Sequence, residues 1–191
     1  MARLSVFNQI SLDGNICDVN GDMSWAHRDD PEWNQFTAQN AGSGGQLVLG
    51  RITYDLMAGF WPTAHAVEQI PQVAEKMNSM PKLVFSRKMR EAAWNNTRVF
   101  NGDIAGEIRR MKQDSGPDMT ILGSGSIVSQ LAQRDLIDEY QIVVVPTVLG
   151  SGKTMFAGIK ERINLKLINV RTFTNGNLLL LYTPNSRPHS E

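Results

Sequence analysis

The sequence predicts an α/β domain built on a mixed, mainly parallel sheet with an antiparallel hairpin at its carboxyl end. Short apolar segments alternate with segments of helical pattern over residues 3–145, as in consecutive β–α–β units. Two apolar segments then follow each other directly, and the Asn-Gly pair between them at residues 175–176 is typical of a β-hairpin. A length of 191 residues suffices for one domain with a sizeable core.

Eight segments have the apolar, turn-bounded pattern of strands. They cover residues 3–10, 46–49, 82–85, 97–100, 119–122, 139–145, 165–172 and 178–182. The first helix begins with Asp30 as a cap candidate before Pro31 and ends at a glycine-rich break over residues 42–45. The other helices are expected over residues 52–58, 69–78, 103–112 and 127–133, with a loop over residues 59–65. We expect one domain over residues 1–183 and a polar, flexible tail over residues 184–191.

The charge balance and the residue types argue against several classes of protein. Lys plus Arg and Asp plus Glu both number 19, and this zero net charge argues against a broad surface for nucleic acid or membrane. The amino terminus lacks the apolar run of a signal peptide, and no stretch has the roughly 20 apolar residues that cross a bilayer. The single cysteine, Cys17, and the scattered histidines form no metal-ligand pattern. We therefore expect a cytoplasmic protein without nucleic-acid, membrane or metal partners.

A glycine-rich turn at residues 123–126 is the strongest functional signal. An apolar strand runs directly into Gly123, Ser124, Gly125 and Ser126, and a helical pattern follows. Gly123 and Gly125 can adopt positive φ, and Ser126 can cap the helix. Backbone N–H groups at such a helix start bind phosphate. A tight strand–helix connection without a ligand explains this stretch equally well.

Two further turns of similar chemistry follow apolar strands. Gly50, Arg51 and Thr53 come after the second predicted strand, and Ser86 and Arg87 come after the third. Ligands of parallel sheets bind beyond the carboxyl ends of the strands, so we expect the three turns to converge at one edge. Guanidinium, hydroxyl and glycine N–H groups together predict a site for a dinucleotide cofactor.

Residues 150–154, Gly-Ser-Gly-Lys-Thr, are similar to the end of a phosphate-binding P-loop. That motif needs a glycine five positions before Gly152, where this chain has Thr147. The neighbouring Pro146 has no N–H group, and the segment that follows makes a poor helix. A nucleoside triphosphatase therefore ranks third, and Lys153 is expected to be solvated.

Five short motifs share their order and spacing with a known family. They are Ser11-Leu12-Asp13-Gly14, Leu49-Gly50-Arg51-Ile52-Thr53-Tyr54, Val84-Phe85-Ser86-Arg87, Leu122-Gly123-Ser124-Gly125-Ser126, and Pro146 to Lys153 followed by Phe156. On these motifs the chain resembles the dihydrofolate reductase-like superfamily, in particular the RibD-type C-terminal reductase domain of bacterial riboflavin biosynthesis. The resemblance implies a three-layer sandwich with a mainly parallel sheet of eight or nine strands, NADPH as cofactor, and a homodimer. It also implies an activity similar to that of 5-amino-6-(5-phosphoribosylamino)uracil reductase or dihydrofolate reductase.

The resemblance assigns roles to residues of the three turns. The residues that it places against the phosphates of NADPH are Gly50, Arg51, Thr53, Ser86, Arg87, Gly123, Ser124, Gly125 and Ser126. Ser86 and Arg87 should lie near the 2′-phosphate of the adenosine ribose, where a guanidinium binds bidentately. The second position of the glycine turn is Ser124 here, whereas dihydrofolate reductases typically carry glycine at that position.

A proton donor for the reduced group is expected among the carboxyl groups near the substrate. A carboxyl group in an apolar pocket has a raised pKa and can supply a proton. Asp30 follows Trp25 by five residues at a helix start, a spacing similar to that of the dihydrofolate reductase carboxylate. The resemblance to the riboflavin-type branch makes Asp13, in the Ser-Leu-Asp-Gly turn, the other candidate. The alternatives are a helix cap for Asp30 and an ordinary Asp-Gly turn for Asp13.

The substrate pocket is expected to contain Asn8 and the aromatic rings of Trp25 and Trp61. Trp33 and Phe36 are expected in the core instead. A flat, aromatic-walled pocket of this kind fits a heterocyclic ring.

The absence of a cation argues against one class of substrate and leaves the substrate itself open. Residues 52–75 include no Lys or Arg that could bind a pteroyl-glutamate tail, which argues against a true dihydrofolate reductase. We expect a small pyrimidine- or pterin-like nitrogen heterocycle as the substrate. The alternative is a non-catalytic nucleotide-binding or regulatory protein that keeps the fold.

Overall fold

The computed structural model describes residues 1–42, 45–114 and 116–185. The strands are β1 (Leu4–Ser11), β2 (Asn15–Cys17), β3 (Gln46–Gly50), β4 (Lys82–Phe85), β5 (Thr97–Phe100), β6 (Met119–Leu122), β7 (Glu139–Val145), β8 (Lys153–Thr154), β9 (Leu165–Thr172) and β10 (Leu178–Pro184). The helices are α1 (Pro31–Gly42), α2 (Arg51–Ala58), α3 (Ala64–Gln69), α4 (Pro71–Ser79), α5 (Ile104–Gln113) and α6 (Gly125–Ala132), and a 3-10 turn at Ser24–Ala26 precedes α1.

Eight of these strands form one sheet, in the order β5-β4-β3-β6-β1-β7-β10-β9. The neighbouring pairs from β5 to β7 are parallel, whereas β10 is antiparallel to both β7 and β9. The predicted fold class is therefore confirmed, including the number of strands and the hairpin at the carboxyl end. The parallel arrangement brings the carboxyl ends of β1, β3, β4 and β6 to one edge of the sheet, which we call the rim.

Apolar side chains cover both faces of the sheet and give the domain three layers. On one face, α5 and α6 pack through Ile108 and Leu131 over a core that includes Val6. The opposite face carries two clusters, one of them around Tyr54 on α2. The other, which we call the α1 cluster, consists of Trp33, Val143, Val145 and Phe173 with Phe7, Trp25, Phe36 and Leu179 packed against it. The core positions predicted for Trp33 and Phe36 are confirmed, since Trp33 is buried and Phe36 packs half-buried beside it.

Two local features differ from the sequence prediction. The helix predicted over residues 69–78 is α4, which begins at Pro71 after the non-helical Ile70, and a further short helix, α3, begins within the loop predicted over residues 59–65. Strands β2 and β8 form a separate antiparallel pair, which is too short to leave a periodic signal in the sequence. Lys153 lies exposed on β8, and residues 155–158 form a turn, so the P-loop-like stretch leads into no helix.

Part of two predictions falls outside the described residues. The glycine-rich break includes residues 43 and 44, and the predicted tail includes residues 186–191. Pro184, the first residue of that tail, ends β10 opposite Leu165. None of the helices described above is long and apolar enough to cross a membrane.

Candidate functional site

The three predicted turns lie side by side at the rim. Gly50 at the end of β3 pairs with Phe85 at the end of β4, so Arg51 and Ser86 follow at the same level. Strand β6, on the other side of β3, ends at Leu122 immediately before the glycine turn. The geometry thus brings the three turns to a single edge of the sheet.

The hydroxyl of Ser124 joins two of these turns. It accepts a hydrogen bond from the N–H of Gly50 at 2.8 Å and lies 2.9 Å from the carbonyl oxygen of Leu122 and 3.0 Å from Thr53 Oγ1. The N–H of Ser124 donates to the same Thr53 oxygen at 3.1 Å. This network holds the start of α2 against the start of α6.

Asn8 on β1 holds the other end of the glycine turn. Its side chain is buried, its Oδ1 accepts from the N–H of Gly123 at 2.5 Å, and its Nδ2 donates to the carbonyl oxygen of Gly123 at 2.9 Å. The same Nδ2 lies 3.1 Å from the sulfur of Met155. One carboxamide therefore satisfies both backbone groups of Gly123 and fixes its left-handed conformation at a φ of +56°.

The backbone of the glycine turn differs from the prediction at two positions. Positive φ occurs at Gly123 and at Ser124, whose φ is +53°, whereas Gly125 already belongs to α6, so the predicted positive φ at Gly125 is wrong. Ser124 also occupies the position before the helix, which makes the predicted cap at Ser126 wrong. A serine tolerates the left-handed region here because its N–H and hydroxyl bond Thr53, and these bonds offset the strain.

The turn after β4 carries an unpaired cation. The Oγ of Ser86 accepts from the N–H groups of Lys88 and Met89 at 3.2 and 3.0 Å, which fixes the turn. Arg87 is exposed, and within the described ranges its guanidinium forms no hydrogen bond or ion pair. Arg51 instead forms an exposed ion pair within α2 at 2.7 Å. Arg87 is therefore a cation at the rim that is available for an anionic ligand.

Comparison with known proteins places the chain in a family. The model of the RibD C-terminal domain family matches residues 2–179, nearly the whole chain. The chain belongs to the RibD C-terminal domain family. It is 31% identical over 175 residues to YyaP, an uncharacterised protein of Bacillus subtilis (strain 168), and the match covers 91% of this chain and 90% of YyaP.

Two solved structures share the fold of this RibD C-terminal domain. A candidate riboflavin biosynthesis protein of Shewanella sp. PV-4 aligns with a TM-score of 0.74 at 23% identity, over 97% of this chain and 99% of its own. The diaminohydroxyphosphoribosylaminopyrimidine deaminase/5-amino-6-(5-phosphoribosylamino)uracil reductase of Thermotoga maritima aligns with a TM-score of 0.69 at 15% identity, over 96% of this chain and 57% of that protein. The resemblance stated from the sequence motifs is therefore confirmed.

Asp30 of this RibD C-terminal domain is a helix cap. Its Oδ1 accepts from the N–H of Trp33 at 2.8 Å, and its Oδ2 accepts from the hydroxyl of Thr174 at 2.5 Å. The hydrogen bond from Thr174, followed by that from Trp33, lowers the pKa of Asp30 below its ordinary value. The cap alternative is confirmed, and the expected raised pKa is wrong for this residue.

Asp13 fastens a loop to the end of β1. Its carboxylate accepts from the hydroxyl of Ser11 at 2.6 Å and from the N–H groups of Leu149 and Gly150 at 3.1 and 2.8 Å. These bonds lower the pKa of Asp13 to about 2, and the bond from Ser11 has the largest effect. Asp13 is exposed and ionised at neutral pH, so the expected raised pKa is wrong here as well.

The three residues predicted to bind the substrate lie in different surroundings. Trp25 packs half-buried on the α1 cluster, whereas Trp61 packs on the cluster around Tyr54. Asn8 points to the opposite face of the sheet, where its amide is engaged by Gly123. The structure does not gather the three into one pocket, and a substrate contact by any of them stays a prediction.

Sequence reasoning missed one polar residue at the rim, Gln9. It follows Asn8 on β1, and its Oε1 atom is buried without a hydrogen-bond partner. The alternation along β1 is the signal that identifies it, because Phe7 and Gln9 then share the face on which the α1 cluster packs.

A cavity of about 270 Å³ lies at the amino ends of β4 and β5, on the edge of the sheet opposite the rim. It is lined by Pro62, Asn78, Ala93, Trp94 and Asn95. No residue predicted for the site lines this cavity. In the part of the chain that the structure describes, no group of three or more His, Cys, Asp or Glu side chains is placed to hold a metal ion.

Proposed function

We propose that the chain is an NADPH-dependent oxidoreductase that reduces a small pyrimidine- or pterin-like nitrogen heterocycle. The observation that carries this proposal is the rim, where the starts of α2 and α6 are joined by Ser124 beside the unpaired Arg87. Helix amino ends and guanidinium groups both attract phosphate. Membership of the RibD C-terminal domain family supports a reductase, and the T. maritima neighbour is named for a uracil reductase.

The residues at the rim fit a dinucleotide that carries a 2′-phosphate. Residues 123–126 would hold the pyrophosphate through the N–H groups of Gly125 and Ser126, because the first N–H groups of a helix lack partners within it. The N–H groups of Gly123 and Ser124 are already bonded to Asn8 and Thr53 and shape the turn. Gly50 and Thr53 bring the start of α2 against this turn. Ser86 and Arg87 would hold the 2′-phosphate, which gives the preference for NADPH over NADH a physical cause. NADPH supplies a hydride when it is bound.

The substrate would lie beside the glycine turn, on the face of β1 that the α1 cluster covers. The aromatic side chains of that cluster, Trp25 among them, would exclude water from the ring. Asp13 and Asp30 remain proposed catalytic residues, but in their ionised form, because hydrogen bonds lower the pKa of both. A carboxylate has more lone pairs than these bonds use, so either group can accept a substrate N–H and orient the ring. The proton that accompanies the hydride would then come from solvent.

Isothermal titration with NADPH and with NADH tests the cofactor. We expect a Kd for NADPH in the micromolar range and a weaker Kd for NADH, since the 2′-phosphate adds a contact. A Kd above about 1 mM for both cofactors would exclude the reductase.

The second candidate is a nucleotide-binding protein without turnover. The hydrogen bonds of Asp13 and Asp30 favour it, because Asp13 binds the N–H groups of Leu149 and Gly150 and Asp30 caps α1, so both carboxylates have structural roles. NADPH that binds, but is oxidised by no member of a panel of pterins, folates and pyrimidines, would support this candidate over the reductase.

We also propose a homodimer through β9. This strand lies at the edge of the sheet, and its side chains Leu167, Ile168 and Val170 are about half exposed. An unpaired edge with apolar side chains favours pairing with the same edge of a second copy. Sedimentation should give a dimer for the wild type and a monomer for Ile168→Lys, and a monomeric wild type would refute this assembly.

A further inference from the structure

Strand β1 extends beyond the end of its neighbour β6 at the rim. Its last pairing with β6 joins Phe7 to Leu122, whereas its pairing with β7 continues to Ser11. Side chains alternate along a strand, so Gln9 lies on the same face as Phe7, which packs on the α1 cluster. The preceding Asn8 is bonded to the glycine turn. Gln9 therefore borders that turn on the face where the proposed substrate would lie.

The carboxamide of Gln9 has an unmet hydrogen bond. Its Oε1 is buried and has no partner, although the residue as a whole is only partly buried. On the same face of the sheet, Gln141 uses its carboxamide to donate to Glu139 at 2.8 Å. Asn177 also has unpartnered amide atoms, but it is 0% exposed and no ligand reaches it unless the hairpin opens. Gln9 thus combines an unpaired buried acceptor with a partly exposed side chain on the part of β1 that extends past β6.

An unpaired buried carbonyl oxygen costs free energy, which a ligand that donates to it recovers. We propose that Gln9 is a specificity-determining residue that binds the lactam edge, –NH–CO–, of the substrate ring; this rests on the proposed reductase function. A carboxamide presents a donor beside an acceptor, which complements a ring N–H beside a carbonyl. The terminal torsion of glutamine is soft, so Oε1 can turn to meet a donor on the ligand.

A pair of probes tests this role. 5,6-Diaminouracil carries lactam N–H groups, and 1,3-dimethyl-5,6-diaminouracil has lost them. Isothermal titration in the presence of saturating NADP⁺ measures the Kd of each probe. For the wild type, the ratio of the Kd of the dimethyl probe to that of 5,6-diaminouracil should be about 10 to 100. Gln9→Leu should reduce this ratio to near one. Gln141→Leu makes the same change on the same face at a paired carboxamide, and should keep the wild-type ratio.

A stability measurement separates recognition from a structural role. Gln9→Leu removes an unpaired buried carbonyl, so it should raise the melting temperature of the free protein by about 2 to 4 °C. Gln141→Leu breaks a hydrogen bond and should lower it. Where Gln9→Leu does not fold, Gln9→Met keeps the length of the side chain but has no carbonyl acceptor, and the ratio should again fall.

The outcomes distinguish this role from the reductase proposal. A wild-type ratio near one, or an unchanged ratio in Gln9→Leu, overturns the role of Gln9, and NADPH binding to the same proteins then leaves the reductase standing. A melting temperature that falls in Gln9→Leu with the ratio unchanged assigns Gln9 to the packing of β1 and also overturns the proposal. Wild-type protein that binds no NADPH removes both proposals.

Discussion

Replacing Arg87 by alanine is expected to weaken NADPH binding by about 10- to 100-fold and to leave NADH binding within about twofold of the wild type. Arg87 is exposed at the rim, and its guanidinium has no partner among the described residues. A charge-assisted, bidentate contact with the 2′-phosphate would be lost in the variant, and NADH makes no such contact. Isothermal titration measures the ratio of the Kd of the variant to that of the wild type for each cofactor. The ionic strength is kept fixed because salt screens exposed charges.

Two variants control for the general loss of positive charge. Lys88→Ala removes the neighbouring exposed cation and should change NADPH binding by less than about threefold, because a surface charge without a directed contact contributes little. Arg51→Ala should have a smaller effect than Arg87→Ala, because the Arg51 side chain is already paired with Asp55. Equal losses for NADPH and NADH in Arg87→Ala would show that Arg87 does not distinguish the 2′-phosphate.

The sequence could predict the rim because the rim follows from local patterns. Apolar segments that end in Gly50-Arg51, Ser86-Arg87 and Gly123-Ser124 mark the carboxyl ends of strands, and parallel pairing then places those ends together. The conformation inside the glycine turn could not be predicted in the same way. Glycine is the usual residue at positive φ, yet Ser124 adopts it because of bonds to residues 50 and 53, more than 70 positions earlier.

The protonation of the candidate carboxyl groups also depends on distant residues. The cap formed by Asp30 is a local feature, and the sequence predicts it. The pKa of Asp30 is lowered chiefly by Thr174, and that of Asp13 by Ser11 and by the N–H of Leu149. Thr174 and Leu149 are more than 130 residues away from their partners, so the sequence alone suggested an apolar pocket where the structure has hydrogen-bond donors.

Replacing Gly123 by alanine is expected to lower the free energy of unfolding by about 2 to 4 kcal/mol and to weaken NADPH binding by at least about tenfold. Gly123 has a φ of +56°, where a Cβ atom is strained, and that atom would lie 2.9 Å from the Cγ2 methyl of Thr53. The turn and the start of α2 would have to separate, which would displace the phosphate-binding N–H groups. Urea denaturation and cofactor titration measure the two effects.

Two further proteins separate the clash at Gly123 from backbone strain. Gly158→Ala places a Cβ atom at a φ of +81° with no atom within 4 Å. It should therefore lower the free energy of unfolding only by the backbone strain, about 1 to 2 kcal/mol, and leave NADPH binding unchanged. In a Thr53→Ser background the methyl group is absent, so Gly123→Ala should lower the free energy of unfolding by less than it does in the wild-type background. If Gly123→Ala and Gly158→Ala have the same free energy of unfolding and the same Kd for NADPH, the contact between Thr53 and the glycine turn does not hold the rim together. A cost that falls in the Thr53→Ser background would instead show that α2 and the turn are packed to the limit that only glycine allows.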